Sequence, residues 1–328
     1  MTKAATIRLL EGVLRASTLA VALLFAGAAQ SREPFHLIPG QVSANKGPDG
    51  NTIILDAPKG LIVIDTGRHP EHARAILAYA KERGRPIAAI VNSHWHLDHT
   101  TGNWDIRQAY PRVAVYASNA LEGALATFLK QGREEGDKML ADPKVPETVK
   151  AELARGRSVI DHPDRIRPNH VVTKSGRMTI AGRVLDVHLA RFAATEGDVW
   201  LYDPATRVAI VGDLVVDIVP FMDTACAEGW RKALGEIERA PFQRLIPGHG
   251  PVMNRDGFRA WKKAYENFVD CGHSTAAKQQ CVDGWMKDDA RFIDDAHRDY
   301  AREAADYYLS TRLRSSPVER NHYCKPLR

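Results

Sequence analysis

The residues best suited to chemistry lie in one short run, His94-Trp95-His96-Leu97-Asp98-His99, at the end of the apolar stretch Ala88 to Val91. In extended backbone alternate side chains share a face, so His94, His96 and Asp98 can converge while Trp95 and Leu97 point into the protein. If the chain then turns toward a helix, His99 swings round as a fourth donor. Neutral imidazole and carboxylate are ligands that zinc accepts readily, and iron or manganese accept them too. A lone histidine is usually structural. Four ligand-type side chains within six positions at a strand end point instead to a bound divalent cation. If catalysis occurs there, such an ion lowers the pKa of bound water toward neutrality to supply a hydroxide and polarises a carbonyl or phosphoryl oxygen.

The elements that must position this run alternate between strand and helix. Thr52 to Leu55, Leu61 to Asp65, Ile87 to Asn92 and Val113 to Ala117 read as strands bounded by Gly, Pro, Asn or Asp. His72 to Arg83 has the helical period, with Ala73, Ile76, Leu77 and Tyr79 or Ala80 on one side. A second strand-rich block from Met178 to Val211 contains Val184 to Leu189, Val199 to Tyr202 and Val208 to Val211. A helix from Glu228 to Arg239 follows, then a last buried strand at Leu245-Ile246 before Pro247-Gly248-His249-Gly250. Two such blocks predict a layered α/β architecture with sheets inside and helices outside. Asn119 to His170 interrupts the pattern with expected helices at Leu121 to Arg133 and Pro146 to Arg155, as a surface excursion or a lid. Gly257 to Leu313 reads as almost wholly helical, and Trp261, Tyr265, Phe268, Trp285, Phe292, Tyr300, Tyr307 and Tyr308 are expected to serve packing.

Composition places the 328 residues among globular proteins, with 44% hydrophobic and 26% charged residues. The 45 basic and 40 acidic residues are scattered, without the long Lys/Arg block of a nucleic-acid-binding arm, so nucleic acid is not an expected partner. Lys3, Arg8 and Arg15 precede an apolar run from Leu19 to Phe25 and the small residues Ala26 to Ala29, the pattern of a cleaved signal peptide over 1–29. The run is short for a membrane span, although an uncleaved anchor is the alternative. The protein is therefore expected to be periplasmic or secreted, without a stable membrane anchor. The four cysteines, Cys226, Cys271, Cys281 and Cys324, suit two disulfides in an exported chain, such as Cys271 with Cys281 and Cys226 with Cys324. Three pairings remain open, and a zinc-thiolate cluster competes with them.

His-x-His-x-Asp-His is the signature that this chain shares with the metallo-β-lactamase superfamily, and further landmarks resemble that family in order. They are Asp65-Thr66-Gly67, Gly212-Asp213-Leu214 and Pro247-Gly248-His249-Gly250, within a match from about Asn45 to Val252. The resemblance implies a four-layer αβ/βα sandwich over 30–254, with the insertion at about 119–170 and a helical C-terminal extension over 255–328 packed on it. It implies that His94 and His96 hold one metal, that Asp98, His99 and His249 hold another, and that Asp213 bridges both. Asp65 would orient the site from behind. One or two zinc ions are the implied cofactor, and Asp98 and Asp213 the implied catalytic residues. A small molecule with an ester, thioester, lactone, amide or phosphoester bond would be the substrate. A looser resemblance is to the periplasmic zinc hydrolases associated with quinoprotein systems.

One landmark is missing. Where the family carries a histidine before Thr, this chain reads Ala193-Ala194-Thr195, and the methyl group of Ala194 cannot bind metal. His188 is too far along the strand to substitute, and Glu196 is the nearer candidate. The first metal site is expected to be depleted. Two alternatives follow, a metal-binding protein without turnover and a β-lactamase. The oligomeric state is not legible.

Overall fold

The computed structural model describes residues 33–41 and 47–325, and the signal segment expected at 1–29 lies outside them. In the first of two sheets, β1 (His36–Ile38), β2 (Thr52–Ala57), β3 (Gly60–Ile64), β4 (Ile87–Val91), β5 (Ala114–Ala117) and β6 (His170–Val171) lie side by side in chain order. A tight turn makes β2 and β3 antiparallel, whereas β3, β4, β5 and β6 run parallel. Parallel neighbours need a crossover. α1 (Pro70–Glu82) supplies it between β3 and β4; α2 (Leu97–Thr100) and α3 (Asn103–Ala109) supply it between β4 and β5. The insertion α4 (Ala120–Ala126), α5 (Phe128–Ala141) and α6 (Glu147–Asp161) separates β5 from β6.

The second sheet is an antiparallel meander of β7 (Gly176–Ile180), β8 (Arg183–Arg191), β9 (Gly197–Asp203) and β10 (Val208–Gly212). α7 (Ala227–Arg239) then crosses over to β11 (Arg244–Pro247), parallel to β10.

Strand periodicity builds the layers. Ile53 and Leu55 of β2 face Val187, Leu201 and Ile210 in the core between the sheets, while Ile54 points away onto Ile76 of α1 and Ile106 of α3. In β10, Val208 and Ile210 face inward, and Ala209 and Val211 face Trp230 and Leu234 of α7. The result is helix, sheet, sheet, helix. Each buried aliphatic side chain contributes about 1.5–3 kcal/mol, so a one-residue slip that turned a whole strand face over would be prohibitive.

α8 (Arg255–His273), α9 (Lys278–Asp288) and α10 (Arg298–Tyr308) cover the outer face of the second sheet, where Trp261, Tyr265, Phe268 and Trp285 join the core around Trp200 and Trp230. The described residues from Pro34 onward make one compact unit. Tyr300 and Tyr307 depart from the packing expectation, at 57% and 46% exposed. Cys226 is bonded to Cys324 and Cys271 to Cys281, which removes the zinc-thiolate reading.

Local differences from expectation have identifiable causes. The helix expected over 121–133 is two helices broken at Thr127, whose hydroxyl donates to Gly123 O at 2.8 Å and competes with the helical ladder. α6 runs on to Asp161, beyond the expected Arg155. No helix among the described residues is long and apolar enough to cross a membrane.

Candidate metal centre

The extended run expected through His94, His96 and Asp98 stops early. β4 ends at Val91, Asn92 to His96 form a loop, and Leu97 opens α2, whose first turn carries Asp98 and His99. Thr100 fixes that turn by donating its hydroxyl to His96 O at 3.0 Å. Leu97 therefore does not point into the sheet core; it lies half-buried against the insertion, beside Trp95 and Ile160. A buried amide pair, with Asn103 Nδ2 donating to Asn92 Oδ1 at 2.7 Å and Asn92 Nδ2 to His99 O at 3.0 Å, ties the short helix to the strand end.

Asp65 organises the histidines from behind. It follows β3 at φ +57°, a backbone conformation that non-glycine residues seldom adopt. Its carboxylate accepts from Ser93 N (2.7 Å), Ser93 Oγ (2.7 Å) and His99 Nδ1 (2.8 Å). Because the Ser93 hydroxyl gives its proton to Asp65, its lone pair receives Nδ1–H of His94 at 2.9 Å. Both His94 and His99 thus carry a proton on Nδ1 and turn Nε2 into the site.

Those Nε2 atoms meet carboxylates. His94 Nε2 is 3.5 Å from Asp213 Oδ2; His99 Nε2 is 3.2 Å from Asp213 Oδ1 and 3.6 Å from Asp98 Oδ2. His249 Nε2 is 3.2 Å from both Asp98 Oδ2 and His99 Nε2. Two groups of three result, His94 with His96 and Asp213, and Asp98 with His99 and His249, the ligand atoms of each lying within 4.8 Å of one another. Asp213 turns one oxygen toward each group. The backbone makes room, since a Cβ on Gly248 would stand 1.9 Å from Asp213 Oδ1 and one on Gly50 2.3 Å from His99 Cε1.

The donor set fits divalent cations. His94 Nε2 and Asp213 Oδ1 are buried with no hydrogen-bond partner, a costly state for acceptor atoms unless a cation shares them. Burial pushes His96 down to about 4, against the pull of Asp98 and Asp213, and takes His94 well below the usual histidine value, so both keep a lone pair free at neutral pH. Burial alone would raise Asp98, but His99, a hydrogen bond from His249 and Arg68 outweigh it and hold the carboxyl well below its ordinary range. His99 is driven the other way. Burial lowers it, yet Asp213, Asp65 and Asp98 together raise it well above the ordinary value.

His96 is oriented by a residue that sequence reading did not single out. Its Nε2 lies 3.1 Å from Thr224 Oγ1, and Thr224 donates to Ala194 O at 2.9 Å. With the hydroxyl proton committed to that carbonyl, Thr224 accepts Nε2–H of His96 and leaves Nδ1 for a ligand. Nothing about a lone threonine 128 residues away marks it in the sequence. Ala194 is buried and brings no donor. Glu196 belongs to neither group, and His188 stacks on Trp200 with ring centroids 3.7 Å apart. Among the described residues, no further His, Cys, Asp or Glu completes the first group.

Arg68 lies beside Asp98 and is partly exposed. Its NH2 is 3.9 Å from Asp98 Oδ1, its NH1 is 3.1 Å from Glu152 of α6, and its side chain is 30% exposed.

Residues 46–249 match the family model described as the metallo-beta-lactamase superfamily. A linear primary-alkylsulfatase from Pseudomonas sp. (strain ATCC 19151) is 44% identical over 228 residues, 62% of this chain and 42% of that protein. A hydroxyacylglutathione hydrolase from Gloeobacter violaceus is 37% identical over 70 residues, 21% of this chain and 26% of the relative. An atrochrysone carboxyl ACP thioesterase from Emericella nidulans is 39% identical over 71 residues, 21% of this chain and 23% of the relative. The chain thus spans less than half the length of these curated relatives. In fold, it is similar to a metallo-beta-lactamase from Pontibacter korlensis, with TM-score 0.51, 20% identity, and coverage of 71% of this chain and 94% of that one. It is also similar to the sec-alkylsulfatase Pisa1 from Pseudomonas sp., with TM-score 0.50, 20% identity, and coverage of 71% and 42%.

Proposed function

The chain belongs to the metallo-β-lactamase superfamily, and we propose that it works as an exported metal-dependent hydrolase on an ester-type bond of a small-molecule substrate. The observation that carries this reading is the division of Asp213, with Oδ2 toward His94 and Oδ1 toward His99. His94, His96 and Asp213 would hold one divalent ion, and Asp98, His99, His249 and Asp213 a second. Zinc matches imidazole and carboxylate donors, and manganese or iron use the same set. Such ions supply positive charge that polarises the scissile bond and eases deprotonation of water near neutral pH.

The chain's own groups do the rest. Asp65 and Ser93 hold the imidazoles of His94 and His99 in one tautomer, so no reorientation is needed as substrate arrives. Asp98, ionised and aimed into the site by the first turn of α2, would both hold the second ion and help place the attacking water. Arg68 offers a cation to negative charge on the bound substrate. Relatives named for alkylsulfate, thioester and hydroxyacylglutathione chemistry support an ester-type bond over an amide. The two disulfides and the signal-like N-terminus support export. We assign 1–29 to the signal, 30–254 to the sandwich and 255–328 to an extension packed on it.

A second reading, a metal-binding protein without turnover, is favoured by Ala194 alone. The test is a panel of chromogenic carboxylic, thio-, sulfate and phosphodiester substrates, a lactone and a cephalosporin, with zinc- or manganese-loaded protein. Turnover that chelation abolishes and metal restores is expected for at least one ester-type substrate. Folded, metal-loaded protein inert to the whole panel would overturn the hydrolase, and cleavage of the cephalosporin alone would make it a β-lactamase.

A further inference from the structure

Two apolar cores reach His96 at the edge of the metal cluster. One gathers Trp95, Leu121 and Leu129 around the insertion, and the other lies under the C-terminal helices around Trp230 and Trp261. Each leaves a phenylalanine half-buried at its margin: Phe128 at the start of α5, and Phe221 in the segment that follows Asp213. The two rings meet edge to face at 6.4 Å. Phe221 also stands edge-on to His96 at 5.2 Å, and Phe128 lies 5.6 Å from Trp95, which is 4.5 Å from His96. Beyond Phe221 come Tyr308 at 6.3 Å and then the exposed Tyr307, 5.3 Å further.

The rings therefore form a continuous apolar line from a histidine of the metal cluster out to α10. Both rings are only half-buried, and both would gain by leaving water. An occupant must begin at His96, because that is where the line starts, and it must be apolar, because aromatic edges and faces line the path. We propose that Phe128 and Phe221 form a subsite for an alkyl or aryl group carried directly on the bond to be cleaved, with Tyr308 of the C-terminal extension as its backing. This rests on the hydrolase reading for its substrate bond, but the subsite itself is a matter of binding. It also gives the insertion and the extension a shared role, each contributing one wall.

The experiment has a binding arm and a turnover arm. In the first, n-alkanoates of four to ten carbons, kept below micelle formation, are titrated calorimetrically into the full zinc-loaded chain and into metal-free chain. Each added methylene is expected to tighten binding about threefold to fourfold. Phe221→Ala and Phe128→Ala should each reduce that step to less than about twofold, and Phe221→Leu should restore most of it, with thermal melts checking that each variant is folded. Affinity independent of chain length, or an unchanged step in both alanine variants, would overturn the subsite. In the second arm, p-nitrophenyl esters of the same acids are assayed for kcat/KM. No hydrolysis with a retained binding step removes the hydrolase and leaves the subsite standing; hydrolysis with no chain-length dependence in either arm does the reverse.

Discussion

Thr224 Oγ1 sits 3.1 Å from His96 Nε2 while giving its own proton to Ala194 O, 2.9 Å away. The position that lacks the family's histidine side chain thus acts on the cluster through its main-chain carbonyl, by way of the threonine that sets the tautomer of His96. Thr224→Val keeps the shape and removes the hydroxyl, so Nε2–H of His96 loses its acceptor. Zinc affinity, read by competition with a chromogenic chelator, is expected to fall about 10- to 100-fold. Thr224→Ser should recover it. Equal affinity in the valine variant would mean that the threonine only fills space.

Ala194→His should add the donor that the first group lacks. Metal analysis after dialysis is expected to give more zinc per chain in the variant than in the parent, with the increment held more tightly than the parent's weaker ion. The site is buried, with Ala194 only 2% exposed, so a melting curve must accompany the measurement to register overpacking. A folded variant with unchanged metal content would refute the idea that this position limits the first site.

Asp289 supplies a pH test at a carboxyl that belongs to neither group of candidate metal ligands. It is fully buried, and neither carboxylate oxygen has a hydrogen-bond partner. Burial, with Asp217 next, pushes it up to about 9. A carboxyl whose pKa is raised on folding holds its proton in the native state after the unfolded chain has released it. Its contribution is complete below the unfolded value near 3.8 and declines as pH climbs through the native value near 9. Asp289→Asn cannot ionise, so its melting temperature should exceed the parent's by at least about 2 °C at pH 8.5 and converge with it toward pH 4. A constant offset across that range would sink the account.

The two disulfides should differ in weight. Cys226–Cys324 closes a span of 98 residues and Cys271–Cys281 one of 10. Constraint of the unfolded chain grows with loop length, so paired serine substitutions should cost about 3–5 kcal/mol for the long loop and about 2–3 kcal/mol for the short one. Urea unfolding under oxidising conditions measures both; the reverse order would show that native packing, not chain entropy, governs these bridges.

Much of the site was legible in one dimension. The run from His94 to His99 marks a candidate metal site because four donors stand within six residues, and Asp65, Asp213 and His249 each end an apolar strand, which places them along one edge of the layers. The apolar, β-branched-rich runs of β2 and β10 marked both as strands, because such a run bounded by turn residues is a local property, whereas which of their residues face the core between the sheets was set by packing. The break at Thr127 and the helical start at Leu97 were not legible, because each turns on a side-chain hydrogen bond to backbone that propensity does not encode.

What the fold alone decided is how groups distant in sequence share protons and space. The tautomers of His94 and His99 follow from Asp65, nearly thirty residues or more upstream of Ser93 and His99, and that of His96 follows from Thr224, 128 residues downstream. The two faces of Asp213 and the meeting of Phe128 with Phe221 belong to the same class. Residue types fix which atoms can donate, accept or repel water. Only tertiary packing brings those atoms within the few ångströms over which hydrogen bonds and van der Waals contacts act.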